Sequence, residues 1–252
     1  MKNIILILLL IILPISLYSF DGDAAFNKAT GLYNAGQYDH AKDIYIGLLD
    51  SGYTNATIYY NLANTYYRLD KIPQAILNYE RAKLLDPFNE DINFNLKLAN
   101  LKIVDKFEPL PKLFFVEWYE DLLDLANSDT WAYMSIGLIW ITLLFVFLTF
   151  WFSFQFNVKK SLFMTAVITF VIGVFTMFMT FRVSIKENLK NYGIIYVPSV
   201  YVKSSPDNNA TDLFILHEGT KVQILENINN WYEVKIQNGN VGWIQMNSFE
   251  VI

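Results

Sequence analysis

The groups able to do covalent chemistry are few and poorly placed for it. The 252 residues hold two histidines, His40 and His217, and no cysteine. Neither histidine has further ligand types around it at metal-binding spacing. The lack of cysteine excludes disulfides, thiolate zinc sites, a thiol nucleophile and a cysteine-linked lipid anchor. Glu117, Glu120, Asp121 and Asp124 pair in the way general acids and bases do. That work needs an apolar pocket or a charged partner to separate their pKa values, and the surrounding pattern is that of a solvated helix face. No phosphate-cradling glycine loop and no nucleophile elbow occur. The sequence predicts no catalytic residue, no metal site and no cofactor. A net charge of −5 without a Lys/Arg cluster speaks against nucleic acid as a partner.

Amide side chains recur with a regularity the other polar groups lack. Phe26-Asn27, Tyr60-Asn61 and Phe94-Asn95 stand 34 residues apart, as do Ala29 and Ala63, Ala41 and Ala75, and Tyr45 and Tyr79. Within 56–89, Tyr59, Leu62, Ala63 and Tyr66, then Ala75, Tyr79, Ala82 and Pro87, resemble the tetratricopeptide repeat, a pair of antiparallel helices. Ala63 and Ala75 let the helices approach, Pro73 suits a first helical turn, and Pro87 stops the second helix. The copy at 22–55 is looser, with Lys28 where the pattern has leucine, and 90–106 reads as a single capping helix. Two and a half repeats is a marginal array, expected to lean on the membrane, on a partner or on another copy of itself. The resemblance implies a groove lined by the first helices. Asn27, Asn61, Asn64, Tyr67, Arg68 and Asn95 would face it, because an amide offers donor and acceptor to a peptide backbone. The other reading of these asparagines is a set of solvated polar positions.

The composition is 54% apolar and 17% aromatic, with a mean hydropathy of +0.26, above the soluble norm. The excess falls in blocks. Segment 131–151 has no charge and at 1.5 Å per residue spans about 31 Å, a hydrocarbon core's thickness. Trp131, Tyr133 and Trp151 frame it as interfacial aromatics do. Segment 161–181 is a second such stretch, bracketed by Lys159, Lys160 and Arg182. Neither carries an ionisable group, which speaks against ion or proton transport. Before them, 112–126 reads as an amphipathic helix, with Phe114, Trp118, Leu122 and Leu125 on one side and the four acids on the other. Its apolar side faces either the bilayer interface or the repeat domain.

Lys2, the apolar run 4–13, Pro14, Ser16 and Ser19 follow the order of a secretory signal, an uncleaved anchor being the alternative. The signal places both folded parts outside the cytoplasm, since two spans return the chain to its starting side. The expected location is the bacterial inner membrane, with both domains on the extracytoplasmic side and the 152–160 loop inside.

Beyond 192 the pattern turns to period two. Residues 200–202, 222–225, 231–236 and 241–244 read as strands, and Asn238-Gly239 as a hairpin turn in which both residues take positive φ. Tyr201-Val202-Lys203-Ser204-Ser205-Pro206, Glu218-Gly219-Thr220-Lys221-Val222, Trp231-Tyr232-Glu233-Val234 and Gly242-Trp243-Ile244 resemble the motifs of bacterial SH3 domains, departing from them at Lys203 and Ser205. That resemblance implies binding of cell-wall peptides or protein segments. Tyr201, Trp231 and Trp243 either form an aromatic surface for it or, for the two tryptophans, fill the core.

The expected fold class is a multidomain membrane protein: an all-α tetratricopeptide repeat domain, a two-helix transmembrane hairpin and a small all-β SH3-like barrel. The expected segments are a signal peptide at 1–19, repeats at 22–106, a connector at 107–130, spans at 131–151 and 161–181, and a barrel at 192–252. The whole order, with "VYVKSSPD" at 200–207 and "LFILHEGTKV" at 213–222, is similar to the BatE-type proteins of bacterial aerotolerance operons. The resemblance implies a scaffold that binds envelope proteins, among them membrane proteins with von Willebrand factor A domains. Attachment to peptidoglycan through the barrel is the alternative.

Overall fold

The computed structural model describes residues 22–108, 111, 113–152, 154–188 and 191–252. The expected signal segment lies outside them, as do Pro109, Leu110 and Lys112 of the expected connector. The chain divides into two units, one of 22–106 with 193–221 and 244–252, the other of 107–192 with 222–243.

In the first unit, α1 (Gly22–Asn34), α2 (Tyr38–Asp50), α3 (Ala56–Arg68), α4 (Ile72–Leu85) and α5 (Glu90–Asn100) form the repeats. Their starts have local causes. Asn55 and Asn89, one repeat apart, each accept an N–H three residues on, from Ile58 at 2.8 Å and Ile92 at 3.2 Å, which satisfies a donor the helix leaves unpaired. Pro73 occupies the first turn of α4. Gly36 supplies the positive φ that ends α1's approach to α2. Ala29, Ala41, Tyr45, Leu48, Ile58 and Leu62 make one core cluster. Ala63, Ala75, Ile76, Leu77, Tyr79, Leu96 and Ala99 make the next, and Ile194 from far along the chain completes it.

The C-terminal strands are β1 (Tyr192–Ile195), β2 (Ser199–Lys203), β3 (Asp212–His217), β4 (Lys221–Ile228), β5 (Trp231–Lys235), β6 (Val241–Gln245) and β7 (Phe249–Val251). They form one antiparallel sheet in the order β3-β2-β6-β5-β4-β1-β7. β1, β3 and β7 were not among the expected strands. The Asn238-Gly239 turn also departs from expectation. Only Gly239 takes positive φ, at 90°. Its N–H bonds the Ile236 carbonyl and the Ile236 N–H bonds the Asn240 carbonyl, so the loop is one residue longer than the two-residue form. Asn229, at φ 54°, makes the tighter turn between β4 and β5.

In the second unit, α6 (Phe114–Leu123) precedes α7 (Ser128–Trp151) and α8 (Phe156–Asn188). The amphipathic helix is shorter than the expected 112–126. Asn127 caps the next helix by accepting the Thr130 N–H at 2.8 Å, so the chain turns before it. Helix resumes at Phe156, so the connection between the two long helices is shorter than 152–160. Both are long and apolar enough to cross a membrane, with mean hydropathies of 2.2 and 2.3 over their most apolar stretches. Thr142 and Thr169 hydrogen-bond across them at 2.9 Å.

Candidate functional site

The 34-residue step brings polar groups of neighbouring repeats into one network. Asn95 on α5 donates from Nδ2 to the Tyr60 hydroxyl at 2.9 Å and to Oδ1 of Asn64 at 3.1 Å, both on α3. Tyr79 on α4 donates its hydroxyl to the same Asn64 oxygen. Burial pushes the Tyr79 hydroxyl well above the ordinary phenol range, so it stays a neutral donor. This bonding uses the Asn64 carbonyl and the Asn95 amide nitrogen. It leaves the Asn64 amide N–H groups as a donor and the Asn95 carbonyl as an acceptor, on two half-buried residues. Those are the two functions a peptide unit needs.

Beside the network runs a rim of aromatic and cationic groups. Arg68 Nε lies 3.5 Å from the Tyr33 hydroxyl of the preceding repeat. Lys102 Nζ sits 4.5 Å above the centre of the Tyr67 ring and 3.0 Å from Asp70 Oδ1. Asn61 is half-buried and Asn27 exposed. Asn95 reaches Asn64 and Tyr60 rather than the Asn61 that precedes it in the repeat register.

The same unit contains a junction no sequence motif announced. Asp105, just beyond α5, has its carboxylate 9% exposed. Oδ2 accepts the His217 backbone N–H at 2.7 Å and the Thr220 hydroxyl at 2.6 Å, and Oδ1 lies 2.7 Å from His217 Nδ1. Burial alone would raise the Asp105 pKa. The bonds from Thr220 and from the backbone and ring of His217 outweigh that and hold the carboxyl below its usual range. An ionised carboxylate only accepts, so Nδ1 carries the proton. Glu80 Oε2 meets Lys221 Nζ at 2.7 Å. Arg81 Nη2 donates to Glu250 Oε1 at 3.0 Å and to the Val251 carbonyl at 2.9 Å. Gly219, at φ 84°, presses against Ile103 and Ile76. Tyr196 and Ile252 pack on the repeat core beside Ile194. The marginal array thus finds support in strands of its own chain, a source absent from the expected list of membrane, partner or second copy.

Residues 198–249 match the family described as Bacterial SH3 domain. Residues 56–89, covering α3 and α4, match the Tetratricopeptide repeat. A search of the curated proteins finds no match. The chain therefore carries a tetratricopeptide repeat, two long apolar helices and a bacterial SH3 domain.

Within the SH3 domain, Tyr201 is exposed and pairs across β2 and β3 with the exposed Ile215, with Leu213 near it on the same strand. Trp243 is 9% exposed and belongs to the core. Trp231 is half-buried. Of the three candidate aromatics, Tyr201 alone presents most of its ring outward. Sequence reasoning missed Glu80, Arg81, Asp105 and Glu250; Thr220 and Lys221 stand in it only as SH3-motif residues, and His217 only as a histidine without ligand partners. Among the described residues, no group of three or more His, Cys, Asp or Glu side chains could hold a metal ion.

Proposed function

We propose that the chain is a non-enzymatic, membrane-anchored adaptor of the bacterial cell envelope that holds an extended protein segment in its repeat groove. The observation that carries this reading is the Asn64–Asn95 pair. Its leftover N–H and carbonyl match the acceptor and donor of a peptide backbone, and Tyr67 and Arg68 stand beside it. A backbone-reading site of this kind fits partners of varied sequence. Docking of β1, β3 and β7 on the repeats supports recognition by a joint helix-and-strand unit. The two long helices support membrane anchoring, since only 17% and 22% of their most apolar stretches are buried within the protein, and so much exposed apolar surface calls for lipid. In the BatE-type reading, both domains stand on the extracytoplasmic side of the inner membrane. Their partners are then membrane proteins with von Willebrand factor A domains, in an aerotolerance-type complex.

The test is co-purification from detergent extracts. Asn64 is tied to Tyr79, so its removal would disturb the fold. Asn61→Ala with Arg68→Ala spares that network. The pair should lose recovery of co-purifying membrane proteins while the helical circular dichroism stays unchanged. Unchanged recovery would remove the groove from the reading.

Attachment to peptidoglycan is the second reading, favoured by the exposed Tyr201–Ile215 pair on a bacterial SH3 domain. Its test needs the full chain in detergent micelles, because an isolated barrel would expose Ile194 and Ile252. Sedimentation with purified peptidoglycan that Tyr201→Ala abolishes would support it.

A further inference from the structure

Successive residues of a helix step about 100° around its axis, and this divides α6 into three faces. Glu117 and Glu120 lie on one, extended by Asp124 in the turn that follows, while Asp121, seven positions from Phe114, falls at the border with the third. Tyr119, Leu122 and Leu123 lie on a second, in one cluster with Trp131 of α7 and with Met179 and Val183 of α8. Phe114 and Trp118 lie on the third, 82% and 67% exposed, and Leu125 just past the helix extends it. An acidic face, a protein-packed face and a bare aromatic face make three environments for one short helix.

The helix's depth follows from what it touches. Arg182 is the first charge after the uncharged stretch 161–181, and its Nε donates to the Tyr119 hydroxyl at 2.9 Å. Trp131 opens the other uncharged stretch and sits against Leu123 in the shared cluster. A charge at the end of an apolar span marks the level where hydrocarbon gives way to headgroups. The second helix face is anchored at that level through Tyr119, and the shared cluster ties it to both spans. The bare face therefore lies at the same level, beside the acidic one.

We propose that α6 is an in-plane interfacial helix, with Phe114, Trp118 and Leu125 seated in the lipid of the bilayer surface. This rests on the membrane-anchored reading of the two long helices. Large aromatic and aliphatic groups beside a charged face are a composition that lies in an interface rather than crossing it. The proposal makes lipid, not a protein groove, the occupant of this face.

The chain has no cysteine, so a single introduced one carries a nitroxide label at a unique place. Full-length protein in nanodiscs of phosphatidylethanolamine and phosphatidylglycerol would carry the label at Trp118→Cys, Phe114→Cys, Glu117→Cys or, within α7, Leu143→Cys. Collisions with oxygen report lipid and collisions with a water-soluble nickel chelate report solvent. The expected oxygen-to-nickel ratio is several-fold higher at positions 114 and 118 than at 117, and highest at 143. A ratio at 118 equal to that at 117, with 143 in lipid, overturns the interfacial helix alone. So does shielding of 118 from both reagents, which would mean a protein partner. A solvent-exposed label at 143 overturns the membrane reading, and the interfacial helix with it.

Discussion

Oδ2 of Asp105 accepts the backbone N–H of His217 at 2.7 Å, across 112 residues of intervening chain. The two long helices lie within that separation. The stretch just after the last repeat helix and the end of strand β3 are thereby closed against each other, and the Thr220 hydroxyl and the His217 ring fill the same carboxylate. A three-donor carboxylate with little solvent contact is an expensive feature to leave half-made. Strands β1, β3 and β7 are accordingly a structural part of the repeat array.

Removing the Asp105 carboxylate should loosen that junction. Asp105→Ala strands three donors, and the cost of buried unsatisfied groups puts the loss at about 3 kcal/mol. Asp105→Asn keeps the shape and one carbonyl oxygen, and should cost less, about 1–2 kcal/mol. Hydrogen exchange at the His217 amide reads this directly. The alanine variant should exchange roughly 100-fold faster than the parent, since about 1.4 kcal/mol is tenfold. Unchanged exchange would mean that other contacts hold the strands alone.

The same carboxylate gives the junction an acid limit. Its folded pKa lies below the ordinary Asp value, so the folded state binds its proton less readily than the unfolded state. Its contribution is therefore complete above about pH 4, the unfolded range of Asp, and is lost as pH falls through the lower folded value. Exchange at His217 should rise on acidification below about pH 4. In Asp105→Asn the part of that rise due to this residue should be missing, and an identical acid profile in the two proteins would assign the pH dependence elsewhere.

How much of this could be read from sequence depended on whether a residue belongs to a period. The repeat helices were legible because Ala29, Ala63, Tyr45 and Tyr79 recur at 34 residues and meet in the cores. β2, β4, β5 and β6 were legible because their apolar residues alternate or stand beside turn signals. β1 was not. Gly193, Ile194 and Ile195 are all buried, so no alternation marks them. The long helices announced themselves by length, but their starts at Ser128 and Phe156 did not, since capping and a short connection set those. The junction was illegible for a further reason. Asp105, Glu80 and Arg81 read as ordinary solvated charges, and their partners Thr220, Lys221 and Glu250 lie more than a hundred residues away with no spacing to link them. Within the repeats, Asn64 and Asn95 were identifiable as candidates, but their joint use of Tyr60 and Tyr79 follows only from helix stacking.

The ion pair between Glu80 and Lys221 should couple the two elements measurably. Its side chains are 11% and 30% exposed and meet at 2.7 Å, so solvent screens it less than a surface pair. Glu80→Gln and Lys221→Met each remove one charge and leave the other facing a neutral group. In a double-mutant cycle scored by thermal or denaturant midpoints in detergent, the coupling should be about 1 kcal/mol. A coupling near zero would mean that packing at Ile194 and Gly219 does the docking unaided.

Gly219 offers the sharpest steric test, because Gly36 provides its control. Both take positive φ, 84° and 75°, so alanine meets similar backbone strain at each, of order 1 kcal/mol. They differ in surroundings. A Cβ at Gly36 would meet nothing within 4 Å, whereas one at Gly219 would come within 2.6 Å of Ile103 Cγ2 and 3.3 Å of Ile76 Cδ1. Ile76 is fully buried and has no room to withdraw, and overpacking of this kind adds about 1–3 kcal/mol. Gly219→Ala should therefore lower the melting temperature of the detergent-solubilised protein clearly more than Gly36→Ala. It should also speed exchange at His217, which Gly36→Ala should leave alone. Adding Ile103→Ala to Gly219→Ala should recover part of the loss by removing the methyl group in the way. Equal effects of the two glycine substitutions, or no recovery in the double variant, would show that the turn bearing Gly219 does not bear on the repeats.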